Sequence, residues 1–369
     1  MINIFYGPAS RFEEIIPNDN DCITLTKLLS EIDARSRQFK ISNVEQTREK
    51  EKNILVDNLV VSTEEYARLS ESGINGFLTI LNQADINNMF FQNPPEIVYE
   101  QLKRSFDEIK EERYEYKIIT EKNIKDFNNG FSKKILGQDD CKNKLLHCLY
   151  KVAKGYNKKK PLVLLLYGPA GVGKTETAKF ICEILKEKLF RKQFSMYQNY
   201  SFADYVFGTN HSSSSLARDL LDREGNIILF DEFDKPSNVF YSAFYQMFDE
   251  GVFVDKNYKV DLHNSIILCT SNFLSLSDIR KSLGAPIYSR IDLFVEYKEL
   301  SDDISKQLIE VKFNNIYSIL SNEDKAFIDK ENDLSIIKSC SKNLKNVREI
   351  DRVINEFVFA RIINHKFKE

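Results

Sequence analysis

The spacing of apolar residues changes along the chain from helical patterns to short continuous runs. In the first third, a stripe with intervals of three or four residues follows Pro94-Pro95 and predicts a helix; it consists of Val98, Leu102, Phe106 and Ile109. Short apolar runs such as Ile54-Leu55-Val56 and Leu59-Val60-Val61 lie between such patterns. We therefore expect residues 1–128 to form a mixed, mostly helical domain, with a strand at 116–120 and a turn at 128–130.

After residue 134, short apolar runs alternate with helical patterns. Three runs have the composition of buried parallel strands, at 161–167, 226–231 and 265–270. Strands that alternate with helices favour an α/β fold, here a three-layer αβα domain with a parallel sheet at 129–298. The remaining residues, 299–369, are helical in pattern and end in an amphipathic helix marked by Val347, Ile350, Ile354, Phe357 and Arg361.

Composition narrows the classes of protein further. The 369 residues are 42% hydrophobic and carry a net charge of -3, which is typical of a soluble globular protein and gives no reason to expect nucleic-acid binding. No apolar run approaches the roughly 20 residues of a membrane span, and the N-terminus lacks the pattern of a signal peptide. The six scattered cysteines have no metal-ligand spacing. We expect reduced thiols in a cytoplasmic protein without a membrane partner.

A glycine-rich loop follows the first buried run and fits the P-loop pattern G-x-x-x-x-G-K-T. It consists of Gly168, Pro169, Ala170, Gly171, Val172, Gly173, Lys174 and Thr175. Glycines let successive N–H groups point at phosphate oxygens, and the helix that follows adds its positive N-terminal dipole. We expect Lys174 to reach the β- and γ-phosphates of ATP and Thr175 to hold Mg²⁺, with Glu176 also in the nucleotide site. The alternative interpretation is a chance glycine turn.

Polar side chains end the other two buried runs. A carboxylate at the end of a parallel strand faces the ligand crevice of an open α/β sheet, and Asp231-Glu232 ends the second run. Phosphoryl transfer depends mainly on positioning and charge neutralisation, so we expect Asp231 to position Mg²⁺ and Glu232 to orient the attacking water. Asn272 follows the third run, and its amide either positions that water from the opposite side or belongs to a turn residue at the strand end.

The segments from about residue 134 to 369 resemble the Clp/Hsp-type AAA+ ATPases, in particular their second ATPase module. The matching segments are Ile135-Leu136-Gly137-Gln138-Asp139, Asp231-Glu232-Phe233-Asp234-Lys235, Thr270-Ser271-Asn272, Ser289-Arg290-Ile291-Asp292 and Asn346-Val347-Arg348-Glu349. The resemblance implies that Ile135 belongs to the segment that cups the adenine and that Asn272 is the first sensor. It also implies an ATPase that uses ATP and Mg²⁺ and assembles with itself into a ring, a hexamer.

Two arginines take their roles from the same resemblance. Arg290 falls on the arginine-finger segment and would reach the γ-phosphate in a neighbouring subunit, which would make hydrolysis depend on assembly. Arg348 falls on the second sensor of the helical lid and would contact the nucleotide of its own subunit. Surface arginines in salt bridges are the alternative for both, and Arg352 is a rival of Arg348 for the lid role.

The chain departs from the Clp pattern in two places. The glycine-flanked aromatic pore loop that grips polypeptide is replaced by Tyr205-Val206-Phe207-Gly208 and a polar tip, and we interpret the aromatic part as packed rather than gripping. The interval between Asn272 and Arg290 is too short for a peptidase-docking loop, so we expect no docking to a Clp-type peptidase.

The function that we predict is that of an ATP-dependent remodeller whose residues 1–128 recruit an unknown protein substrate or effector. An ATP-switched scaffold that gates a separate effector is the chief alternative. A DNA-directed AAA+ protein is a third possibility, against which stand the small net charge and the lack of a basic stripe.

Overall fold

The computed structural model describes residues 1–17, 21–41, 54–157, 160–197 and 199–367. The chain forms two compact units. The first unit combines Met1–Tyr116, Tyr197–Gly225 and Ser242–His263, and the second combines Lys117–Met196, Asn226–Tyr241 and Asn264–Glu369. The domain boundaries expected at 128/129 and 298/299 remain predictions.

The strands of the described residues form two parallel sheets and one antiparallel hairpin. Their bounds are β1 Ile2–Tyr6, β2 Cys22–Thr24, β3 Ile54–Val61, β4 Ala84–Gln92, β5 Ile109–Arg113, β6 Leu162–Tyr167, β7 Phe190–Gln193, β8 Ile227–Asp231, β9 Val252–Val254, β10 Lys259–Asp261, β11 Ile266–Ser271 and β12 Leu293–Glu296.

The helices vary widely in length. Their bounds are α1 Ala9–Phe12, α2 Leu25–Ile41, α3 Thr63–Ala67, α4 Glu71–Asn75, α5 Phe77–Leu81, α6 Glu96–Ser105, α7 Glu121–Lys134, α8 Asp139–Ala153, α9 Lys174–Leu185, α10 Asn199–Phe207, α11 Leu216–Leu221, α12 Tyr245–Glu250, α13 Leu276–Tyr288, α14 Asp302–Ile319, α15 Asn322–Lys325, α16 Lys330–Ser339 and α17 Val347–Lys366. Short 3₁₀ turns lie at Phe194–Met196, Asn238–Phe244 and Ser341–Asn343.

A parallel sheet of order β2-β3-β4-β1-β5 organises the N-terminal part of the first unit. The two apolar runs near residue 55 belong to one strand, β3, in which Ile54 and Val56 are buried while Leu55 is 83% exposed. Helices from the same stretch pack on this sheet through residues such as Phe77 and Leu102. The N-terminal part is therefore mixed, as predicted, and its helices surround a sheet that the helical pattern did not indicate.

Two local predictions for this region are wrong. The helix that contains Val98 and Leu102 ends at Ser105, because Phe106 has extended backbone angles (φ -131°, ψ 129°), and Ile109 instead begins β5 beside β1. Residues 116–120 form no strand in the described chain.

The second unit contains a parallel sheet of order β12-β6-β11-β8-β7. Every residue of β6, β8 and β11 is buried, as expected for parallel strands covered on both faces. Helices α7, α8 and α9 contribute to the core on this sheet. The α/β fold with a parallel sheet is confirmed.

The turn predicted at 128–130 is wrong, because these residues lie inside α7. Gly130 serves close packing instead: a Cβ at this position would lie 2.7 Å from Cζ of Phe180. A glycine that admits an aromatic ring between two helices gives the same sequence signal as a glycine in a turn.

Helices α14 to α17 form the C-terminal subdomain, whose buried residues include Phe313, Ile337, Ile350 and Ile354. The helical C-terminal region is therefore confirmed. All six cysteines are free thiols, and Cys340 is exposed rather than in the core. Within the described residues, no helix has the length and apolar character needed to cross a bilayer.

Candidate nucleotide site

The carboxyl ends of three neighbouring strands bring the predicted motifs together. Strand β11 lies between β6 and β8, and all three are parallel. The P-loop follows β6, Asp231 ends β8, and Asn272 follows β11. Carboxyl ends of parallel strands share one edge of the sheet, which is where open α/β sheets bind ligands.

The P-loop follows a path that requires glycine at two positions. Gly168 has φ 129°, and a Cβ there would lie 2.1 Å from the carbonyl oxygen of Tyr297. Gly173 has φ 108°, and a Cβ there would lie 2.9 Å from Cγ2 of Ile135. The predicted adenine-segment residue Ile135 is thus buried against the loop that precedes Lys174.

Lys174 lies at the centre of the site and is 8% exposed. Its Nζ donates to the carbonyl oxygens of Gly168 (2.5 Å) and Pro169 (2.7 Å) and to Oδ1 of Asn272 (3.0 Å). Burial lowers the pKa of Lys174 from 10.5 to about 8, against the opposing effect of the nearby carboxylates of Asp234 and Asp231. The contact with Asn272 joins the P-loop to the end of β11.

The two predicted acids are held by hydrogen bonds from both adjacent strands. Asp231 is 7% exposed. Its Oδ1 accepts from Oγ1 of Thr270 at 2.5 Å, and its Oδ2 accepts from Nε (3.1 Å) and Nη2 (2.5 Å) of Arg191. Glu232 has a left-handed backbone with φ 55°, and its N–H donates to Oγ1 of Thr270 at 2.9 Å. Nε2 of Gln193 donates to Oε2 of Glu232 at 3.4 Å.

The motif analysis missed Arg191, and it named Asp234 and Thr270 within motifs without giving either of them a role. Asp234 has a 4% exposed side chain, and its Oδ1 is buried without a hydrogen-bond partner among the described residues. Its position three residues after Asp231 in an acidic motif is a signal that sequence reasoning can use. Arg191 carries no such signal, and the contact of Thr270 with Asp231 depends on strand pairing.

The first turn of α17 meets the P-loop. The N–H of Val347 donates to the carbonyl oxygen of Gly171 at 2.9 Å, and a Cβ at Gly171 would lie 3.4 Å from Cγ of Arg348. The positive charge of Arg348 also contributes to the lowered pKa of Lys174. These contacts favour Arg348 over Arg352 for the lid role.

The remaining predicted residues lie less centrally. Thr175 is partly exposed in the first turn of α9. Glu176 forms ion pairs with Lys134 (3.9 Å) and Lys179 (3.4 Å), which direct its carboxylate to surface lysines. Pro169 and Val172 stay within the loop between β6 and α9, and Ala170 is exposed there.

Arg290 lies at the opposite end of the sheet from the P-loop. Strand β12 pairs with β6 in the register Leu293 with Leu164 and Glu296 with Tyr167. Arg290 precedes β12, whereas the P-loop follows β6, and a six-residue strand spans about 20 Å. Nη1 of Arg290 donates to the carbonyl oxygen of Pro286 at 2.7 Å. The fold therefore keeps Arg290 away from the P-loop of its own chain.

The side chains at the strand ends suit a nucleotide with a magnesium ion. Hydroxyl and carboxylate oxygens such as those of Thr175 and Asp231 are the hard ligands that Mg²⁺ prefers. The buried, unpartnered Oδ1 of Asp234 provides a further acceptor near Lys174. The glycine loop and the ammonium of Lys174 supply donors for phosphate oxygens.

Comparison with known proteins agrees with this geometry. Residues 159–315 match the family described as AAA domain (Cdc48 subfamily). The ATP-dependent Clp protease ATP-binding subunit ClpL of Staphylococcus aureus, in strains USA300 and NCTC 8325, is 25% identical over 224 residues, which covers 54% of this chain and 32% of the relative. The chain thus spans about a third of the length of these curated relatives.

A solved structure shares the fold at lower sequence identity. The Saccharomyces cerevisiae Hsp104-ADP complex is 18% identical with a TM-score of 0.53, and the match covers 67% of this chain and 49% of the Hsp104 chain. This likeness concerns the fold alone. Together with the AAA domain match and the ClpL relatives, it supports a resemblance of this chain to the AAA+ ATPases of the Clp/Hsp100 type.

Proposed function

We propose that the chain is an ATP-dependent protein remodeller that uses Mg²⁺ and works as a hexameric ring. The observation that carries the ATPase part of this proposal is the convergence of Lys174, Asn272, Asp231 and Glu232 at one edge of the sheet, and the resemblance to Clp/Hsp100-type ATPases supports remodelling and the ring. A buried ammonium beside two acids supports phosphoryl transfer from a nucleotide to water.

Each residue of this group has a distinct task. Lys174 exchanges its bonds to the carbonyl oxygens of Gly168 and Pro169 for phosphate oxygens. Asn272 and Glu232 orient the attacking water from two sides. Asp231 and Thr175 would hold the magnesium ion, which would neutralise charge on the phosphates. Arg348 contacts the same nucleotide from the lid.

Arg290 completes the site of a neighbouring subunit. Its position beyond the amino end of β12, about one strand length from its own P-loop, supports action in trans rather than in cis. An arginine supplied in trans stabilises charge that develops on the transferred phosphoryl group. Hydrolysis would then require an assembled ring.

Peptidase coupling is not part of the proposed function. Only residues 273–275 separate the end of the Asn272 motif from α13, which leads to Arg290. The side chain of Ser275 caps α13 by accepting from the N–H of Asp278. A helix that begins so soon leaves no length for a docking loop.

A second candidate function, the ATP-switched scaffold, is favoured by the pore-loop segment. Tyr205 and Val206 are buried in α10, with Oη of Tyr205 donating to Oδ2 of Asp219 at 2.6 Å. Further along, Nε2 of His211 lies 2.8 Å from the carbonyl oxygen of Leu69. This segment belongs to the same compact unit as residues 1–116, and the ring of Tyr205 is engaged inside the protein.

Phe207 distinguishes the two candidates, because it is 44% exposed and its replacement leaves the core intact. For a threading remodeller, Phe207→Ala abolishes unfolding of a captured protein while ATP hydrolysis continues. For a switched scaffold, both hydrolysis and partner binding survive the change. Phe207→Tyr is the matched control that keeps an aromatic ring.

The central test of the proposal is the Glu232→Gln variant, which keeps the shape of the side chain but removes the base. We expect it to bind ATP, to retain it and to hydrolyse it at less than about a hundredth of the normal rate. Proteins that remain bound to this variant in ATP, and are absent with ADP, identify the substrate or effector. Normal turnover by the variant would contradict the role of Glu232.

A further inference from the structure

The guanidinium of Arg191 forms hydrogen bonds with Asp231, the carboxylate that we assign to Mg²⁺. Arg191 lies on β7, at the edge of the sheet, and its guanidinium donates twice to Oδ2 of Asp231. The other oxygen, Oδ1, is bonded to the hydroxyl of Thr270. Both oxygens of the carboxylate assigned to Mg²⁺ are therefore engaged by the protein itself.

The two hydrogen-bond partners of Asp231, Thr270 and Arg191, differ in how easily their side chains can move away from the carboxylate. Thr270 is 2% exposed and lies on the inner strand β11. The side chain of Arg191 is 43% exposed, and its long stem allows the guanidinium to reach solvent. Oδ2 can therefore be vacated without disturbing the core, whereas Oδ1 stays fixed.

A guanidinium and a magnesium ion with its water shell compete for the same lone pairs, since both are cations that require an ionised carboxylate. Without the guanidinium, the buried carboxylate loses the counter-charge that is hydrogen-bonded to it, which is unfavourable. With the metal present, the guanidinium is a second positive charge at the same oxygen. Oδ2 of Asp231 is therefore expected to bind either the guanidinium or the hydrated magnesium ion, but not both.

We propose that Arg191 is a positioning residue that occupies the metal face of Asp231 until Mg²⁺ arrives with nucleotide, and that it then withdraws from Oδ2. This inference rests on the proposed nucleotide site. It predicts that Arg191 stabilises the metal-free protein and weakens the apparent affinity for Mg²⁺. A purely structural ion pair would stabilise the metal-free and metal-loaded protein equally.

The experiment is thermal melting of the full chain with saturating ADP, first in EDTA and then with increasing MgCl₂. For Arg191→Gln we expect a lower Tm than the wild type in EDTA, a smaller difference at saturating Mg²⁺, and a midpoint at about tenfold lower Mg²⁺, as the loss of a charged hydrogen bond suggests. Arg191→Lys retains the charge but not the two-pronged contact, and its midpoint should lie between the two.

Lys192→Gln is the matched control, because it removes one positive charge from the adjacent position of the same strand. If the Mg²⁺ midpoint shifts equally in Lys192→Gln, the shift in Arg191→Gln reflects only the loss of a positive charge near the site, and the inference is overturned. An unchanged midpoint in Arg191→Gln, or an equal loss of Tm with and without Mg²⁺, would overturn it too. If ADP and Mg²⁺ do not raise the Tm of the wild type, the proposed nucleotide site itself is contradicted, rather than the role of Arg191.

Discussion

At the scale of single residues, the hydroxyl of Thr270 joins the two acids of the site. It donates to Oδ1 of Asp231 and accepts from the N–H of Glu232. Thr270→Val keeps the shape but leaves both groups without this partner, and unsatisfied buried groups cost about 1–3 kcal/mol. We expect that loss in urea unfolding, together with slower ATP hydrolysis. Thr270→Ser keeps the hydroxyl and should be close to the wild type. If Thr270→Ser is as impaired as Thr270→Val, the methyl group of Thr270 matters rather than its hydroxyl.

We expect nucleotide binding to depend on pH through the ammonium group of Lys174. Its pKa in the folded chain is about 8, below its ordinary 10.5, so the empty site loses the ammonium charge as pH rises through 8. We expect the affinity for ADP, measured by calorimetry between about pH 7 and 9.5, to fall over this interval, because a neutral amine attracts phosphate less. Lys174→Arg does not titrate there, and its affinity should stay level.

The same shift sets the pH dependence of stability. A lowered pKa of a base means that the unfolded chain binds more protons between pH 8 and 10.5. The empty protein therefore gains stability as pH rises across this window, and the gain disappears in Lys174→Met. A wild-type unfolding free energy that does not rise relative to Lys174→Met would contradict the buried position of the ammonium.

The sequence reveals those site residues that stand next to a recognisable motif in the chain. Lys174, Asp231 and Glu232 are recognisable because each follows a buried apolar run. Arg191 and Thr270 become part of the site only through the pairing of β7 and β11 with β8, and one sequence does not specify that pairing. A basic residue in a short strand resembles any exposed lysine or arginine.

At the scale of elements, a strand with an apolar residue on its exposed face is difficult to recognise from a periodic pattern. In β3, burial alternates, but the exposed Leu55 between the buried Ile54 and Val56 is itself apolar, so the sequence does not show the apolar-polar alternation typical of a strand. The buried strands β6, β8 and β11 are easier, because a continuous apolar run next to a functional loop has few other interpretations. Helices were identified correctly where caps and stripes agree, as in α17.

The first turn of α17 connects the C-terminal helices to the P-loop through Val347 and Arg348. We expect Arg348→Ala to weaken ADP binding and to slow hydrolysis by about tenfold or more, because one charged contact to phosphate is lost. Arg352→Ala is the matched control, one turn later on the same helix, and should leave both quantities near normal. The reverse ranking in binding and turnover assays would assign the lid role to Arg352.

At the scale of the whole molecule, chain order and spatial organisation diverge. Segments 197–225 and 242–263 lie in sequence among the ATPase motifs, yet they join residues 1–116 in one compact unit. The N–H of Glu96 donates to the carbonyl oxygen of Asn257 at 2.8 Å, and the guanidinium of Arg223 lies 4.0 Å from the centre of the Tyr116 ring. Such long-range contacts leave no periodic trace in the sequence.

The proposed role of Arg290 depends on contact between neighbouring subunits. Its place at the amino end of β12 separates it from its own P-loop by about one strand length. We expect Arg290→Ala to bind ATP normally but to hydrolyse it at least about a hundredfold more slowly. Lys174→Ala, in contrast, should lose nucleotide binding itself.

Mixing the two variants tests the shared site directly. In a mixed ring, some interfaces combine the intact P-loop of an Arg290→Ala subunit with the intact Arg290 of a Lys174→Ala subunit. These interfaces contain every required group, so ATP hydrolysis should return partly in the mixture although each variant alone is inactive. Titrating the ratio of the variants separates this recovery from inhibition by inactive neighbours, because recovery must pass through a maximum at intermediate ratios. An Arg290→Ala protein with full activity as a monomer would show instead that the site is complete within one chain.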